Sequence, residues 1–397
     1  MRIGIINLMT RTADVEMSGR LFGARGLAPA DEGEVNIVEL AGHLVQKGHE
    51  VHVFIAAPYA PSERATLPGG LSLHYLPTVL SFPFSPSIAP FTPSLGRRAR
   101  ELRLDALMSG EVFQSGTVLG WLGEGGRTPF YVWQELDTRM SGPIGMAQGL
   151  FYATAGKAIV SSCAAVIPRS VSAREHLRRE GLDGEFEEVV HSGVDTGTFK
   201  PMRKEECREG LALEGAEDIL LAVGRLHRNK GVDLVMDCLP SLLARRRETL
   251  LVIKGTGPEL DGLRASARRL GISDHVRFIT SHLTRGDMAR LYSAADALVI
   301  TSRVDLFPFT AIESAACATP VLTSFGRGLK TDIVDKGAGL MLPSETSGLA
   351  GSLAEALSDK AKLRGIGLRA RDLTVEEFDF DVSADRLIGI YRRHSAG

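Results

Sequence analysis

Two cations and two carboxylates stand at strand-to-helix junctions in the second half of the chain. Arg225 follows the apolar run "LLAVG", and Lys230 comes five residues later, ahead of the helical pattern "GVDLVMDCLP". A guanidinium fork and an ammonium point charge at a strand's C-terminal end suit a diphosphate, although a solvated basic loop would read the same way. Asp305 and Glu313 lie in "SRVDLFPFTAIESAACATPVL", with only apolar and small residues between them. Carboxylates are seldom buried without a partner, so each calls for solvent, a cap or a ligand. Two readings of Glu313 stay open. Thr310 and Glu313 have the spacing of a capping box, which would return the carboxylate to a backbone N–H. Alternatively, the helix start at Thr310 offers N–H groups to an anion, and the two oxygens of Glu313 accept a pair of vicinal hydroxyls.

Other motifs carry less. Gly255 and Gly257, in "KGTGPEL", allow close backbone approach to a ligand, but a plain strand-to-helix turn needs the same residues. No G-x-G-x-x-G follows the first strand, which argues against a nicotinamide-dependent oxidoreductase. Asp379 and Asp381 form a D-x-D just ahead of the last helix, and His191, His227 and His275 lack ligand spacing, so no metal is expected. The four cysteines are far apart and read as buried thiols of a reducing compartment.

These residues must be held by an alternating scaffold. "MRIGIINL" reads as a buried parallel strand, residues 35–47 as an amphipathic helix stopped by Gly48, and "HEVHVFIAA" as the next strand. "DALMSG", "TPFYVWQ" and "AAVIPRS" add short strands. The alternation restarts with strands "DILLAVGRL", "TLLVIKGTG", "HVRFIT" and "DALVITS", separated by amphipathic helices. Two successive runs of this kind predict two doubly wound α/β domains with parallel sheets. We expect a first domain over 1–198, a second over 199–375, and a terminal segment, 376–397, whose helix "SADRLIGIYRRH" returns to the first.

At 397 residues the chain exceeds one ordinary core, and a net charge of -2 provides no global field for nucleic acid. The apolar N-terminus is too short for a signal peptide, and no run reaches the length of a spanning helix, so a cytoplasmic protein is expected. The proline-rich segment 76–95 carries Phe82, Phe84, Ile88 and Phe91 and precedes Arg97, Arg98, Arg100 and Arg103. A solvated helix face is the ordinary reading of those arginines; the combination also admits peripheral contact at the inner face of a membrane.

Taken together, "VGRLHRNKGVDLV", "IKGTGPELDGLR", "SRVDLFPFTAIESAACATPVL" and "GHEVHVF" resemble the family-4 retaining glycosyltransferases of GT-B fold, and "VVHSGVDTGTFKP" is similar to that family's hinge segment. The likeness is dense over 189–342 and thin over 58–165. It implies two Rossmann-like domains with an interdomain cleft, the first (1–198) on the acceptor side and the second (199–375) binding the nucleotide-sugar donor. It implies that Arg225 and Lys230 hold a donor diphosphate, that Asp305 contacts the transferred sugar, and that Glu313 contacts the ribose. Phe309, Thr310 and Ala311 would bring main-chain N–H groups to the donor, with Gly255 and Gly257 beside it, and Gly33 would approach from the first domain. Where the family carries a histidine at the end of the strand matching "PFYVWQELD", this chain offers Gln134, Glu135 and Asp137, of which Glu135 is taken as the catalytic candidate.

The resemblance implies a metal-independent transfer of a hexose from a nucleotide diphosphate sugar, UDP- or GDP-linked, to a hydroxyl of a sugar, lipid-linked or small-molecule acceptor. The nucleotide sugar is a substrate, and no cofactor is expected. The alternative is a sugar-nucleotide sensor or partner subunit that binds without turnover.

Overall fold

The computed structural model describes residues 1–7, 36–57, 63–67, 69–77, 91–305 and 307–395. The chain divides into two compact units, one made of Met1–Gly193 with Phe380–Gly397 and the other of Val194–Asp379.

The first unit is built on β1 (Arg2–Asn7), β2 (Glu50–Ala57), β3 (Glu63–Leu67), β4 (Leu71–Pro77), β5 (Ala106–Gly110), β6 (Phe130–Gln134) and β7 (Ala165–Pro168). Their order across the sheet is β3-β4-β2-β1-β5-β6-β7. Neighbours run parallel except β3, which pairs antiparallel with β4. The strands read as continuous apolar runs because both faces are covered. Ile3 and Ile5 pack on one side with Leu40, Ala41 and Leu44, while Ile6 packs on the other with Leu95, Ala99 and Tyr152. The β3–β4 hairpin was not anticipated. Its turn signal is Gly69 and Gly70, both at positive φ, which permits a reversal that side chains disfavour.

The terminal helix Phe380–Ser395 belongs to the first unit and begins before the expected "SADRLIGIYRRH". Phe380, Ala384, Leu387, Ile388 and Tyr391 join the core of the first sheet, and the Tyr391 ring lies 4.8 Å from that of Tyr131. Fully burying a large apolar side chain is worth about 1.5–3 kcal/mol, so the four large ones among these fix the helix firmly.

The second unit contains β8 (Asp218–Val223), β9 (Thr249–Lys254), β10 (Val276–Ile279), β11 (Ala297–Ile300), β12 (Val321–Thr323) and β13 (Gly339–Met341), in the order β10-β9-β8-β11-β12-β13. All these pairings are parallel. Ile219 and Leu221 face the helices Arg285–Ala294 and Phe309–Ala316, whereas Leu220 faces Val232–Leu243. The order of the parallel strands reverses between β1 and β5 in the first sheet and between β8 and β11 in the second. Open α/β sheets leave a crevice at such a reversal, outside the carboxyl ends of the strands.

Candidate donor and acceptor sites

The second reversal carries Arg225, Lys230 and Asp305. Arg225 and Lys230 lie on the loop leaving β8, and Asp305 lies on the loop leaving β11. Arg225 is exposed, while Lys230 ends the 3-10 turn Arg228–Lys230. Arg303, two residues before Asp305 in sequence, turns to Asp233, and the fold supplies Asp305 with a different basic partner. Lys230 Nζ donates to Asp305 Oδ2 at 2.7 Å, and Ser302 Oγ donates to the same oxygen at 3.0 Å. Lys230 is therefore engaged with the carboxylate in this state.

The two loops are laced together below that pair. Arg303 grips Asp233 with two parallel bonds of 2.7 and 2.6 Å, and its N–H donates to the Asn229 carbonyl at 2.7 Å. Such a bidentate pair adds geometric definition as well as energy. Arg303 and Asp233 were missed by sequence reasoning because neither forms a recognisable motif.

Glu313 lies in the helix Phe309–Ala316, and the structure decides its local role. The N-cap is Pro308, without a side-chain cap, and Thr310 sits inside the helix, so no capping box forms. The Glu313 carboxylate instead accepts a hydrogen bond from the fully buried Tyr292 at 2.7 Å. Burial pushes its pKa from 4.5 up to about 7, against the pull of the Tyr292 hydroxyl and the Arg285 guanidinium. Tyr292 is driven well above its ordinary value by burial and by the facing carboxylate. Arg285 lies over Phe199, 5.3 Å from the ring centre, and burial lowers its pKa from the ordinary value.

The remaining donor candidates fall unevenly. Phe309 and Thr310 occupy the first helical positions, where backbone N–H groups have no intrahelical acceptor. The Ala311 N–H turns back to the Pro308 carbonyl at 2.9 Å. Gly255 and Gly257 have φ of +149° and +154°, and a Cβ on them would stand 1.9 Å from the Gly224 carbonyl oxygen and 2.5 Å from that of Leu226. Their absent side chains thus let the loops after β8 and β9 pack backbone to backbone, which positions Arg225. Gly33 lies outside the described residues, as do Phe82, Phe84 and Ile88.

Glu135 lies in the first unit, just past β6, and is ion-paired to Arg169 at 2.7 Å. Arg169 stacks 3.7 Å from the centre of the Trp133 ring. Glu111 follows β5 and accepts from Gln134 Nε2 at 2.7 Å and from the Glu135 N–H at 3.0 Å. Burial and the neighbouring Glu135 raise its pKa to about 7, while Arg169 opposes them. Glu111 and Arg169 had no sequence signal beyond standing directly after an apolar strand. Gln134 is fully buried as a structural bracket, its Oε1 accepting the Val112 N–H at 2.9 Å, and Asp137 is also buried.

The other titratable sightings are structural. His191 Nδ1 lies 2.8 Å from the Arg169 carbonyl, which can only accept, so this nitrogen carries the proton. Asp381 pairs with His43 at 2.9 Å and with Lys47 at 3.5 Å, and Asp379 accepts from the Thr196 hydroxyl at 2.5 Å. Arg97 and Arg98 both lie within ion-pair reach of Glu101. Among the described residues no helix is long and apolar enough to cross a membrane, and all four cysteines are buried free thiols.

Comparison with known proteins agrees with this geometry. Residues 203–372 match the family model described as glycosyl transferases group 1, and residues 33–198 match that of glycosyltransferase family 4. A D-inositol 3-phosphate glycosyltransferase of Segniliparus rotundus is 30% identical over 242 residues, covering 60% of this chain and 54% of its own. The chain thus spans about half the length of the first curated relatives it matches. A protein of the same description from Nocardia farcinica is 29% identical over 373 residues, 86% of this chain and 80% of its own. Among solved structures, sucrose-phosphate synthase of Thermosynechococcus elongatus superposes with a TM-score of 0.74 at 20% identity over 100% of this chain and 99% of that one. HepE of Anabaena in complex with UDP gives 0.75 at 16% identity over 99% and 100%.

Proposed function

The chain belongs to the family-4 glycosyltransferases of GT-B fold, and on that premise we propose that it moves a hexose from a nucleotide diphosphate sugar to an acceptor hydroxyl with retention of anomeric configuration. The observation that carries this reading is the grouping of Arg225, Lys230 and Asp305 around the strand-order reversal of the second unit, with Glu313 on the helix that follows. HepE was solved with UDP-glucose bound, which supports a uridine diphosphate hexose as the first donor to test.

The chemistry follows from where charge develops. As the glycosidic bond stretches, negative charge grows on the departing diphosphate. Arg225, Lys230 and the first N–H groups of the helix Phe309–Ala316 receive it without a metal ion, and preorganised donors of this kind are usually the largest catalytic contribution. Lys230 starts from its bond to Asp305. Arrival of the diphosphate draws the ammonium away, and the freed aspartate oxygens then accept hydroxyls of the sugar. Glu313 accepts the vicinal ribose hydroxyls, and their donation adds to that of Tyr292 in favouring its ionised form.

The test combines binding and turnover. Purified protein is screened against UDP- and GDP-hexoses by melting-temperature shift, then assayed for donor hydrolysis and transfer in excess chelator, with the product anomer read by NMR. Donor stabilisation with chelator-insensitive turnover and a retained anomer is expected. Stabilisation without turnover favours a sensor. An inverted anomer or a strict metal requirement refutes the mechanism.

A further inference from the structure

The second sheet is covered unevenly at its carboxyl edge. Val223 ends β8, Lys254 ends β9 and Ile279 ends β10, and Lys254 stands in register with both neighbours. All three are partly exposed, whereas Ile300 at the end of β11 and Thr323 at the end of β12 are buried. We infer that Lys254 is a specificity-determining residue that donates to a ring carbonyl of the donor's nucleobase, selecting a base with a keto group there over one with an amino group. The inference rests on the transferase reading given above.

The direction of the side chain follows from the pleat, because successive residues of a strand point to opposite faces. On β9, Val252 packs into the core beneath the helices Arg285–Ala294 and Phe309–Ala316, and Ile253 packs on the other face. Lys254 therefore shares the face of Val252. Val223 packs against that same core from β8, and Ile279 from β10. Two residues earlier on this face, Leu221 and Val252 are fully buried, so the opening begins at the strand ends. The edge thus presents one ammonium between two aliphatic side chains, with Leu283 of the next loop partly buried against the same core.

This ammonium differs from the other engaged lysines of the unit. Lys230 pairs with Asp305, and Lys204 and Lys360 pair with Asp296. Among the described residues nothing pairs with the Lys254 side chain, and burial alone lowers its pKa from the ordinary lysine value. A partly buried cation without an acceptor is unfavourable by itself, which points to a ligand that brings one.

Which part of the donor arrives follows from the groups already placed. Arg225 and Lys230 take the diphosphate at the β8/β11 reversal, and Glu313, on a helix packed against this same face, takes the ribose. Beyond the reversal Ile300 and Thr323 are covered, so the open side for the base lies over β8, β9 and β10. There its flat surface meets Val223 and Ile279 and its edge meets Lys254. An apolar lining with a few polar groups that fix orientation is the usual make-up of a small-molecule site. An ammonium has three donors and no acceptor. It bonds to O4 of uracil or O6 of guanine, whereas the amino group at the same ring position of cytosine or adenine presents donors in return and leaves the cation unpaired.

The experiment measures binding of UDP against CDP, and of GDP against ADP, by calorimetry in wild type and Lys254→Met. Within the tighter-binding pair, wild type is expected to favour the keto base by about tenfold or more, the size of one charge-assisted hydrogen bond. Methionine keeps an unbranched chain of similar length but donates nothing. Lys254→Met should therefore weaken the keto nucleotide about tenfold, leave its amino counterpart nearly unchanged, and erase the preference. Partial unfolding lowers both affinities alike and does not move their ratio. Equal binding of keto and amino nucleotides by wild type, or a preference that survives in Lys254→Met, overturns the inference and leaves the transferase reading intact. Equal weakening of both nucleotides in the variant also overturns it, because it assigns the ammonium to a phosphate. Binding of none of the four nucleotides instead defeats the transferase reading itself, and this inference with it.

Discussion

Replacing Glu313 by glutamine should make the ligand-free protein more stable at high pH while weakening its hold on the donor. Burial raises the folded pKa of Glu313 from 4.5 to about 7, so the native state keeps this proton after the unfolded chain has released it. Stability from the neutral carboxyl is fully present below about 4.5 and is lost as pH rises through about 7. Glutamine is nearly isosteric, keeps a carbonyl oxygen for the Tyr292 hydroxyl, and does not titrate. Integrating the linkage relation between those two values gives about 2 kcal/mol lost by wild type from pH 5.5 to 8, at roughly 1.4 kcal/mol per pKa unit.

The assay is urea denaturation of wild type and Glu313→Gln at both pH values without ligand. Other titrating groups, including Glu111, are common to both proteins, so they cancel in the difference. The stability gap should widen by about 2 kcal/mol in favour of the variant as pH rises. UDP or the selected donor should then raise the melting temperature of wild type far more than that of the variant. A gap that stays constant to within roughly 0.5 kcal/mol would show that Glu313 is not desolvated, and the reasoning on this carboxylate would fall.

Other outcomes follow from the same loops. Arg225→Ala and Lys230→Ala should each lower turnover on the order of a hundredfold, as for loss of an oxyanion donor; near-normal turnover in both contradicts the proposed charge stabilisation. Asp305→Ala should separate two effects, because it frees the Lys230 ammonium: calorimetry should show tighter binding of UDP alone, while transfer falls. Gly255→Ala places a Cβ at 1.9 Å from the Gly224 carbonyl oxygen, and the resulting shift should cost about 1–3 kcal/mol by denaturation and blunt donor binding. Asp296 accepts from the Ile219 N–H at 2.7 Å, from Arg208 at 2.7 Å and from Lys204 at 3.0 Å, so Asp296→Ala should destabilise the second unit by about 3–5 kcal/mol. An unchanged midpoint would refute that last figure.

The alternation of apolar strand and amphipathic helix was legible because both faces of each parallel sheet are covered, which turns strands into unbroken apolar runs. Elements too short for periodicity were not. β12 and β13 span three residues each, and β3 and β4 are short strands joined by the Gly69-Gly70 turn, with no amphipathic helix between them to mark the alternation. The units change at Gly193/Val194 and Asp379/Phe380, against the expected 198/199 and 375/376, because Val194 and Asp379 bridge to each other within the second unit. No composition shift marks a point set by one backbone pairing.

The site shows the same division between type and arrangement. Arg225, Lys230, Asp305 and Glu313 could be picked out by residue type and by position after a strand, yet their present partners could not. Lys230 meets Asp305 across 75 residues of sequence, and Glu313 meets Tyr292 across 21. Both pairings put charge where the ligand-free protein must hold it, on a neighbour or as a raised pKa. Each carboxylate that opened the sequence reading thus has a resting partner, Lys230 for Asp305 and Tyr292 for Glu313. If the donor displaces the first and adds to the second, its binding should release Lys230 and take up no proton there, but drive one off Glu313. Calorimetry in buffers of different ionisation enthalpy at about pH 6.5 should therefore detect proton release on UDP binding by wild type. The release should vanish in Glu313→Gln and persist in Asp305→Ala; release that survives in Glu313→Gln would assign the proton, and the ribose contact with it, to another group.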